Sequence, residues 1–249
     1  MYRNVYLKAG QSNMIGLANK GYVQQSADLA VRLYANLTTE AGRVDMATDN
    51  PSGGRDLAPI DCLGVSRSGP EIQFGRLLFK QFGPDHASTI VKFGMGGTGM
   101  RHWLYPSGLR LADRMVGFLN SVRADIESAG DKFVLRGLCW LQGESDTGSQ
   151  EEAYKYPDNL NAIVGMARAF ADNPELPVTV ARTHIVVPQN RTRPLNTVRT
   201  AQRRFCESDK KAALVNLDDI EHATGGVHFT QAQYAKIGAR EFNRLMSIS

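Results

Sequence analysis

The sequence predicts a three-layer α/β/α fold, in which a central parallel sheet is covered by helices on both faces. The chain has 249 residues, 42% of them hydrophobic and 22% charged, which suits one domain with an ordinary core and excludes wholesale disorder. Mostly apolar segments of strand length recur along it, as in strands buried on both faces. Amphipathic helical patterns lie between these segments, which is typical of βαβ units.

The strands are predicted where β-branched and apolar residues form runs that end at polar or glycine-rich segments. Five runs fit this description, and a weaker sixth lies near residues 31–35. The five span residues 3–9, 88–93, 132–141, 177–182 and 212–217. Because these runs are mostly apolar, a buried parallel sheet is favoured.

The helices are predicted from apolar faces and start signals. Apolar residues recur at helical spacing over residues 111–126 and 160–170. Three segments have the form of a capping box, in which a hydroxyl residue is followed three positions later by Glu or Gln. They run from Ser68 to Glu71, from Ser149 to Glu152 and from Thr230 to Gln233. We expect a helix to begin at each.

One domain spanning residues 1–249 is predicted. Residues 36–67 are rich in Gly, Pro, Asp and Asn and show little periodicity. Because the strand–helix alternation resumes after them, we interpret them as a long surface excursion and not as a linker between domains.

Composition argues against several function classes. A net charge of +4 is too weak by itself to indicate a nucleic-acid partner. No apolar run approaches the roughly 18 residues of a membrane span, and no signal peptide is visible, so we expect a cytoplasmic protein or a virion component and no membrane partner. The three cysteines, at wide spacings, are interpreted as reduced thiols.

Polar, glycine-rich segments follow the predicted strands. In an open parallel sheet, ligands bind beyond the carboxyl ends of the strands. Residues 10–16, 94–103 and 142–146 each follow a strand, and residues 225–230 lead into the last helix. These four segments are therefore expected to meet at one edge of the sheet.

Ser12 is the candidate nucleophile and His228 the candidate base. Ser12 follows a strand and opens a predicted helix, whose free N–H groups suit a developing oxyanion, although a role as a helix cap is the alternative. A serine hydroxyl is a weak nucleophile that needs a base, and His228 lies at the same edge. The alternative for His228 is a surface histidine. No pair of histidines has metal-ligand spacing, so neither a metal nor another cofactor is predicted.

Gly97 and Gln142 are candidate oxyanion donors. A glycine brings its backbone N–H close to a ligand because no side chain intervenes, and a glutamine donates through its amide. An ordinary turn at Gly97 and a loop hydrogen bond at Gln142 are the alternatives, each favoured when the residue is taken alone.

Together, the order and spacing of these segments resemble the SGNH hydrolases, in particular the carbohydrate O-acetylesterases of the sialate O-acetylesterase-like group. The resemblance covers about residues 3–242, and Gln142 stands where the wider superfamily has Asn. Four blocks carry it: residues 10–16, Gly96-Gly97-Thr98 with Trp103, Trp140 to Asp146, and Val227 to Thr230. Weaker matches to the family include Ala201-Gln202.

The resemblance implies a flavodoxin-like fold and hydrolysis of acetyl esters on sugars, such as sialic acid or a polysaccharide, without a metal. Ser12 would form an acetyl-serine intermediate and His228 would carry the proton. The N–H groups of Ser12 and Gly97 and the Gln142 side chain would hold the oxyanion. The implied partner is an acetylated carbohydrate.

Four further residues are candidates for substrate contact or support. Asn13 belongs to the nucleophile block. Glu144 is interpreted mainly as an acceptor of hydrogen bonds within its loop. Trp103 is a candidate stacking wall for a sugar ring, with core packing equally favoured. Arg101 is a candidate charge for an acidic sugar, with a solvated side chain as the alternative.

One position departs from the family pattern. The family usually has an aspartate three residues before the histidine, and here that position is Gly225. A backbone carbonyl could orient His228, an acid from elsewhere (Glu144, Asp219 or Glu221) could replace the aspartate, or turnover could be weak or lost. We favour the carbonyl, which gives a Ser-His dyad. The alternative function is a non-catalytic carbohydrate-binding or structural module on an esterase fold.

Overall fold

A computed structural model of the chain confirms a mixed α/β architecture in which helices flank a mostly parallel sheet. It describes residues 1–17, 22–38, 47–49, 54–62, 65–222 and 226–249. Two buried hydrophobic clusters lie on the two faces of the sheet. The molecule therefore has the three layers that the sequence predicts.

The central sheet is parallel except at one edge. The strands are β1 Tyr2–Gly10, β2 Arg32–Thr38, β3 Ala47–Asp49, β4 Arg55–Asp56, β5 Ile60–Cys62, β6 Val65–Arg67, β7 Ser88–Met95, β8 Lys132–Leu141, β9 Val178–Ala181 and β10 Ala212–Val215. The sheet order is β10-β9-β8-β1-β7-β2-β3, and β4 also pairs with β2. Pairing is parallel from β10 to β2, while β3 and β4 are antiparallel to β2. The five predicted strands are confirmed, and the weaker sixth is β2.

The helices form the two outer layers. They are α1 Ser12–Ile15, α2 Glu71–Phe82, α3 Met100–Leu104, α4 Leu111–Ser128, α5 Gln150–Ala171, α6 Thr192–Ser208 and α7 Gln231–Met246. Buried residues of α3 to α6 belong to one cluster, and those of α1, α2 and α7 belong to the other. The apolar faces predicted over residues 111–126 and 160–170 are the buried faces of α4 and α5.

A helix begins at each of the three predicted starts, and the predicted cap is confirmed at two of them. Ser149 accepts a hydrogen bond from the Glu152 N–H, and Thr230 forms the predicted capping box. At the third, the N-cap of α2 is Pro70, which already has helical angles. The Ser68 hydroxyl instead lies 2.6 Å from the side-chain oxygen of Gln231, so it joins the starts of α2 and α7.

The predicted surface excursion at residues 36–67 contains the end of β2 and the short strands β3 to β6. Strands β5 and β6 pair with each other and form a separate two-stranded sheet. Residues 39–46, 50–53 and 63–64 lie outside the described residues. Among the described helices, none is long and apolar enough to cross a membrane.

Two buried ion pairs lie beneath α2 and α7. Lys8 of β1 and Lys92 of β7 are opposite each other in the sheet, and both are fully buried. Lys8 Nζ lies 2.5 Å from a carboxylate oxygen of Glu241, and Lys92 Nζ lies 2.7 Å from one of Glu71. Lys92 also donates to the carbonyl of Ile15 at 2.6 Å. The last residue of α1 is therefore tied to this network.

Candidate active site

A sharp turn after β1 places Ser12 at the carboxyl edge of the sheet. A Cβ atom on Gly10 would lie 2.0 Å from the carbonyl oxygen of Leu141, so only glycine permits this close approach of β1 and β8. The Gln11 N–H then donates to the same carbonyl at 3.2 Å. Because β1 lies between β7 and β8, Ser12 is placed where loops from three neighbouring strands meet.

Ser12 and His228 are within hydrogen-bond distance. The Nε2 atom of His228 lies 3.1 Å from the Ser12 hydroxyl oxygen, although the two residues are 216 positions apart. Ser12 is 7% exposed and His228 is half-buried. This distance suits proton transfer from a serine hydroxyl to an imidazole.

The surroundings of His228 favour its neutral form. Burial lowers the pKa of the imidazole below its usual value of 6.5, and the positive charge of Arg67 and the ring of His222 lower it further. A neutral imidazole can accept the hydroxyl proton, whereas an imidazolium cannot. This distance and this pKa direction are what a general base requires, and the role of His228 stays a prediction.

Asn13 connects the serine turn to the histidine loop. Its Nδ2 atom donates to Glu144 Oε1 at 2.6 Å and to the Val227 carbonyl at 3.0 Å. Its Oδ1 atom accepts from the Tyr234 hydroxyl at 3.1 Å. Because Val227 directly precedes His228, we expect Asn13 to position the segment that carries the candidate base.

Glu144 serves as an acceptor within this network. Burial raises the pKa of its carboxyl group, and the hydrogen bond from Asn13 opposes this effect. Its Oε2 atom is buried without a hydrogen-bond partner among the described residues. Glu144 thus accepts a hydrogen bond from Asn13, and its role as a supporting residue stays a prediction.

We expect Asn13→Ala to lower both stability and turnover. Removing the amide leaves a buried carboxylate oxygen of Glu144 without its donor, which costs about 1–3 kcal/mol of unfolding free energy. It also frees the Val227 carbonyl, so kcat should fall. Urea denaturation and ester hydrolysis measure the two effects. Asn161→Ala, on an exposed asparagine, is the matched control. Wild-type kcat in Asn13→Ala would contradict the positioning role.

Gly97 lies in the turn after β7. Its φ of +69° is in the left-handed region that glycine adopts without strain, and the residue is exposed. The neighbouring Thr98 is buried, and its hydroxyl donates to the Met95 carbonyl at 2.7 Å. The turn thus presents a glycine at the same sheet edge as Ser12. Its N–H role stays a prediction.

The side chain of Gln142 is buried beside this turn. Its Nε2 atom lies 2.5 Å from Asp146 Oδ2, 3.0 Å from the Thr98 carbonyl and 3.3 Å from Gln11 Oε1. In this arrangement both amide hydrogens face acceptors of the protein itself. The loop hydrogen bonds considered as an alternative are therefore present, and the oxyanion role stays a prediction.

Trp103 and Arg101, the two candidate substrate contacts, both have partners within the protein. Trp103 is fully buried, with its ring centroid 4.8 Å from that of Trp140, so the structure places it in the core and not as a wall facing a sugar. Its indole N–H lies 3.3 Å from the Thr98 hydroxyl. Arg101 is exposed and lies 3.3 Å from Glu152, so it has a partner within the protein.

The group that orients the His228 ring is expected in the segment just before it, of which the structure describes residues 226 and 227. Gly225, where the family has aspartate, lies outside the described residues, so the proposed carbonyl acceptor stays a prediction. Of the alternative acids, Asp219 pairs with Arg240 at 2.6 Å and Glu144 with Asn13. Among the described residues, no carboxylate forms a hydrogen bond with Nδ1 of His228, whose other nitrogen, Nε2, faces Ser12.

The buried polar residues that donate hydrogen bonds to Gln142 were not predicted from the sequence. Gln202 donates to the Gln142 carbonyl at 3.1 Å, and the Tyr156 hydroxyl donates to the same oxygen at 2.8 Å. For Gln202, the weak match to the family at Ala201-Gln202 was the one sequence feature that pointed to it. Asp146 lay inside the third block without an assigned role. In the part of the chain that the structure describes, no cluster of three or more His, Cys, Asp or Glu residues could hold a metal ion.

Comparisons with known proteins show what the chain is similar to. A family model described as "Carbohydrate esterase, sialic acid-specific acetylesterase" matches residues 2–247. A curated protein from Arabidopsis thaliana, named "Probable carbohydrate esterase", is 25% identical over 190 residues. That alignment covers 70% of this chain and 66% of the Arabidopsis protein, so the chain spans slightly less than two thirds of its relative.

Solved structures share the fold at low sequence identity. An Arabidopsis thaliana protein superposes with a TM-score of 0.72 at 18% identity, covering 99% of each chain. A carbohydrate acetylesterase from Xanthomonas citri gives a TM-score of 0.68 at 18% identity, covering 98% of this chain and 56% of that one. NanS gives 0.66 at 17% identity, covering 99% and 97%.

Proposed function

Because the chain belongs to the carbohydrate esterase family of sialic acid-specific acetylesterases, we propose that it hydrolyses acetyl esters on sugars through an acetyl-serine intermediate at Ser12. The observation that carries this proposal is the 3.1 Å distance between the Ser12 hydroxyl and Nε2 of His228. An acyl-transfer site needs this pairing of a nucleophile with a base.

In the first half of the reaction, Ser12 Oγ attacks the acetyl carbonyl while His228 Nε2 takes the hydroxyl proton. The carbonyl oxygen becomes an oxyanion, held by the N–H groups of Ser12 and Gly97. The Gln142 amide joins them by exchanging its contact with the Thr98 carbonyl or with Gln11 Oε1 for the oxyanion. The tetrahedral intermediate collapses, the bond to the sugar oxygen breaks, and His228 returns the proton to that oxygen. The free sugar leaves and the acetyl group stays on Ser12.

In the second half, His228 takes a proton from water, whose oxygen attacks the acetyl carbonyl of the intermediate. Collapse breaks the bond to Ser12 Oγ, and the proton on His228 returns to that oxygen. Acetate leaves, and the serine and the neutral imidazole are restored. The pKa direction of His228 supports this cycle, because burial and Arg67 keep the imidazole neutral before each proton transfer.

A carbohydrate is the proposed acetyl carrier. The family is named for acetylesterases of sialic acid, and the Xanthomonas citri structure is described as a carbohydrate acetylesterase. Sialic acid and acetylated polysaccharides are both within this proposal. No nucleic acid, membrane or cofactor takes part in the proposed reaction.

Turnover on acetylated sugars tests the proposal against a non-catalytic binding module. The wild-type protein should release acetate from at least one member of a panel of O-acetylated sialic acids, xylo-oligosaccharides and mannans. A small activated acetyl ester serves as the positive control for the Ser-His pair. Binding of the sugars without release of acetate from any substrate would overturn the proposal.

We expect Gly225→Asp to raise kcat. An aspartate at this position would orient the His228 ring and stabilise the imidazolium, as the acid of a serine triad does. Changing that acid to Asn lowers kcat by about 10⁴-fold, in part through the wrong tautomer, so the gain here should be much smaller. Steady-state kinetics on a variant shown to be folded measures it. An unchanged or lower kcat would mean that no orienting group is missing.

A further inference from the structure

A buried carboxylate lies behind the proposed oxyanion donors. Asp146 is 1% exposed and belongs to the short helical turn Ser145–Gly148, just after Gln142. Its Oδ1 atom accepts from the Met100 N–H at 2.9 Å, and its Oδ2 atom lies 2.5 Å from Gln142 Nε2. One carboxylate therefore contacts both the start of α3 and the side chain of Gln142.

These contacts hold the glycine turn from two sides. Asp146 binds the Met100 N–H directly, and Gln142 Nε2 donates to the Thr98 carbonyl at 3.0 Å. A Cβ atom on Gly99 would lie 3.2 Å from Asp146 Oδ1, a tight contact, so a glycine there leaves room for the carboxylate. Gly97 lies next to Thr98, so the position of its N–H depends on this arrangement.

The same contacts decide which way the Gln142 amide points. Nε2 faces three oxygen atoms, of Asp146, Thr98 and Gln11, and a reversed amide would set its own oxygen against them. The Oε1 atom is buried without a hydrogen-bond partner among the described residues. Asp146 is the charged acceptor of the three, so it contributes the strongest preference for nitrogen at this point.

We propose that Asp146 is a positioning residue whose ionised carboxylate holds one amide hydrogen of Gln142 and the Met100 N–H, so that the second amide hydrogen and the turn at residues 97–100 can serve the developing oxyanion. Asp146 acts through Gln142 and Gly97 and does not touch substrate. The proposal rests on the proposed function, because an oxyanion forms only if Ser12 performs acyl transfer.

The charge state of Asp146 then matters at neutral pH. Burial raises the pKa of Asp146 to about 7; hydrogen bonds from Gln142 and the Met100 N–H oppose this effect, and Glu152 and Glu144 reinforce it. Other titratable or charged groups packed around this segment are Arg101 and His102 on α3, Tyr105 after α3, Glu151, Lys155 and Tyr156 on α5, and Arg191 before α6. Protonation would turn one carboxylate oxygen from an acceptor into a donor facing Gln142. Activity should therefore fall as pH drops through 7.

The pH dependence of kcat/KM tests this directly. Both Asp146 and His228 must be deprotonated in the wild-type protein, so log(kcat/KM) should approach a slope of two at low pH. Asp146→Asn keeps an acceptor for the Met100 N–H but turns an amide group toward Gln142. It should lower kcat by about 10²-fold, as loss of one oxyanion donor does, with little change in KM and a slope of one.

Glu151→Gln is the matched control, since it removes a nearby exposed carboxylate that pairs with Lys155 and has no proposed part in the site. It should keep both the wild-type kcat and the slope of two. A wild-type slope of one, or wild-type kcat in Asp146→Asn, would overturn the proposal. The wild-type slope needs no variant, so the proposal stays falsifiable even if Asp146→Asn fails to fold.

A second readout does not depend on turnover. The Met100 amide resonance in ¹⁵N NMR spectra should titrate near pH 7 in the wild-type protein and in Ser12→Ala, and not in Asp146→Asn. Absence of this titration would overturn the role of Asp146 while leaving acyl transfer at Ser12 intact. Titration in a protein that hydrolyses no acetyl ester would support the placement of Asp146 and overturn the proposed function instead.

Discussion

Replacing Ser12 by alanine is expected to lower kcat on an acetyl ester by roughly 10⁴- to 10⁶-fold, the range that loss of the nucleophile causes in serine proteases. The physical reason is that His228 Nε2 would then have no hydroxyl at 3.1 Å from which to take a proton. Steady-state kinetics measure the loss, and thermal unfolding shows whether the variant is folded. A serine-directed covalent inhibitor should label the wild-type protein and not the variant.

Ser88→Ala is the matched control for this substitution. Ser88 is also a buried serine, at 3% exposure. It is the first residue of β7, so it lies at the amino-terminal ends of the parallel strands, far from the carboxyl ends where Ser12 lies. Its hydroxyl has no hydrogen-bond partner among the described residues, so its removal should leave kcat unchanged. Equal losses in the two variants would show that the effect is structural and that Ser12 is not the nucleophile.

Replacing Lys92 by methionine is expected to lower the unfolding free energy by about 3–5 kcal/mol, because it leaves a buried carboxylate without its partner. Glu71 and Lys92 are both fully buried, and their charged atoms are 2.7 Å apart. The substitution also removes the donor to the Ile15 carbonyl at the end of α1. The turn that carries Ser12 should loosen as well, so kcat should fall in the fraction of the protein that folds. Urea denaturation measures the stability change.

Two further variants show whether burial causes this loss. Lys155→Met breaks an ion pair of similar length, 2.6 Å, on the exposed surface of α5 and should cause no measurable change. Glu71→Gln added to Lys92→Met removes the unpaired charge and should restore part of the stability. An unchanged unfolding free energy in Lys92→Met would contradict the assignment of a structural role to this pair.

The central strands and the outer helices could be predicted because burial leaves a continuous or periodic apolar pattern. β8 begins and ends at the predicted residues, and β1 differs by one residue at each end. The edge strands β3 and β4 were not predicted. They have three and two residues, and antiparallel pairing at a solvated edge needs no apolar run.

The candidate site could be located because parallel strands bring their carboxyl ends to one edge. That rule predicted that the segments carrying Ser12, Gly97, Gln142 and His228 meet at one edge, and the family resemblance made the combination specific. Lys8 and Lys92 could not be foreseen as buried, because their partners come from helices far away in sequence. The partners of Gln142 depend in the same way on the packing of α5 and α6 against the end of β8.

If the acetyl group passes through Ser12, it can be captured on the protein during turnover. Turnover of an acetyl ester is quenched in acid after milliseconds, and the digested protein is analysed by mass spectrometry. We expect one acetyl group on the peptide that contains Ser12, formed within the first turnover and lost when the quench is delayed until substrate is exhausted. Hydrolysis that proceeds with this peptide unmodified, or with the acetyl group on another residue, would contradict the account.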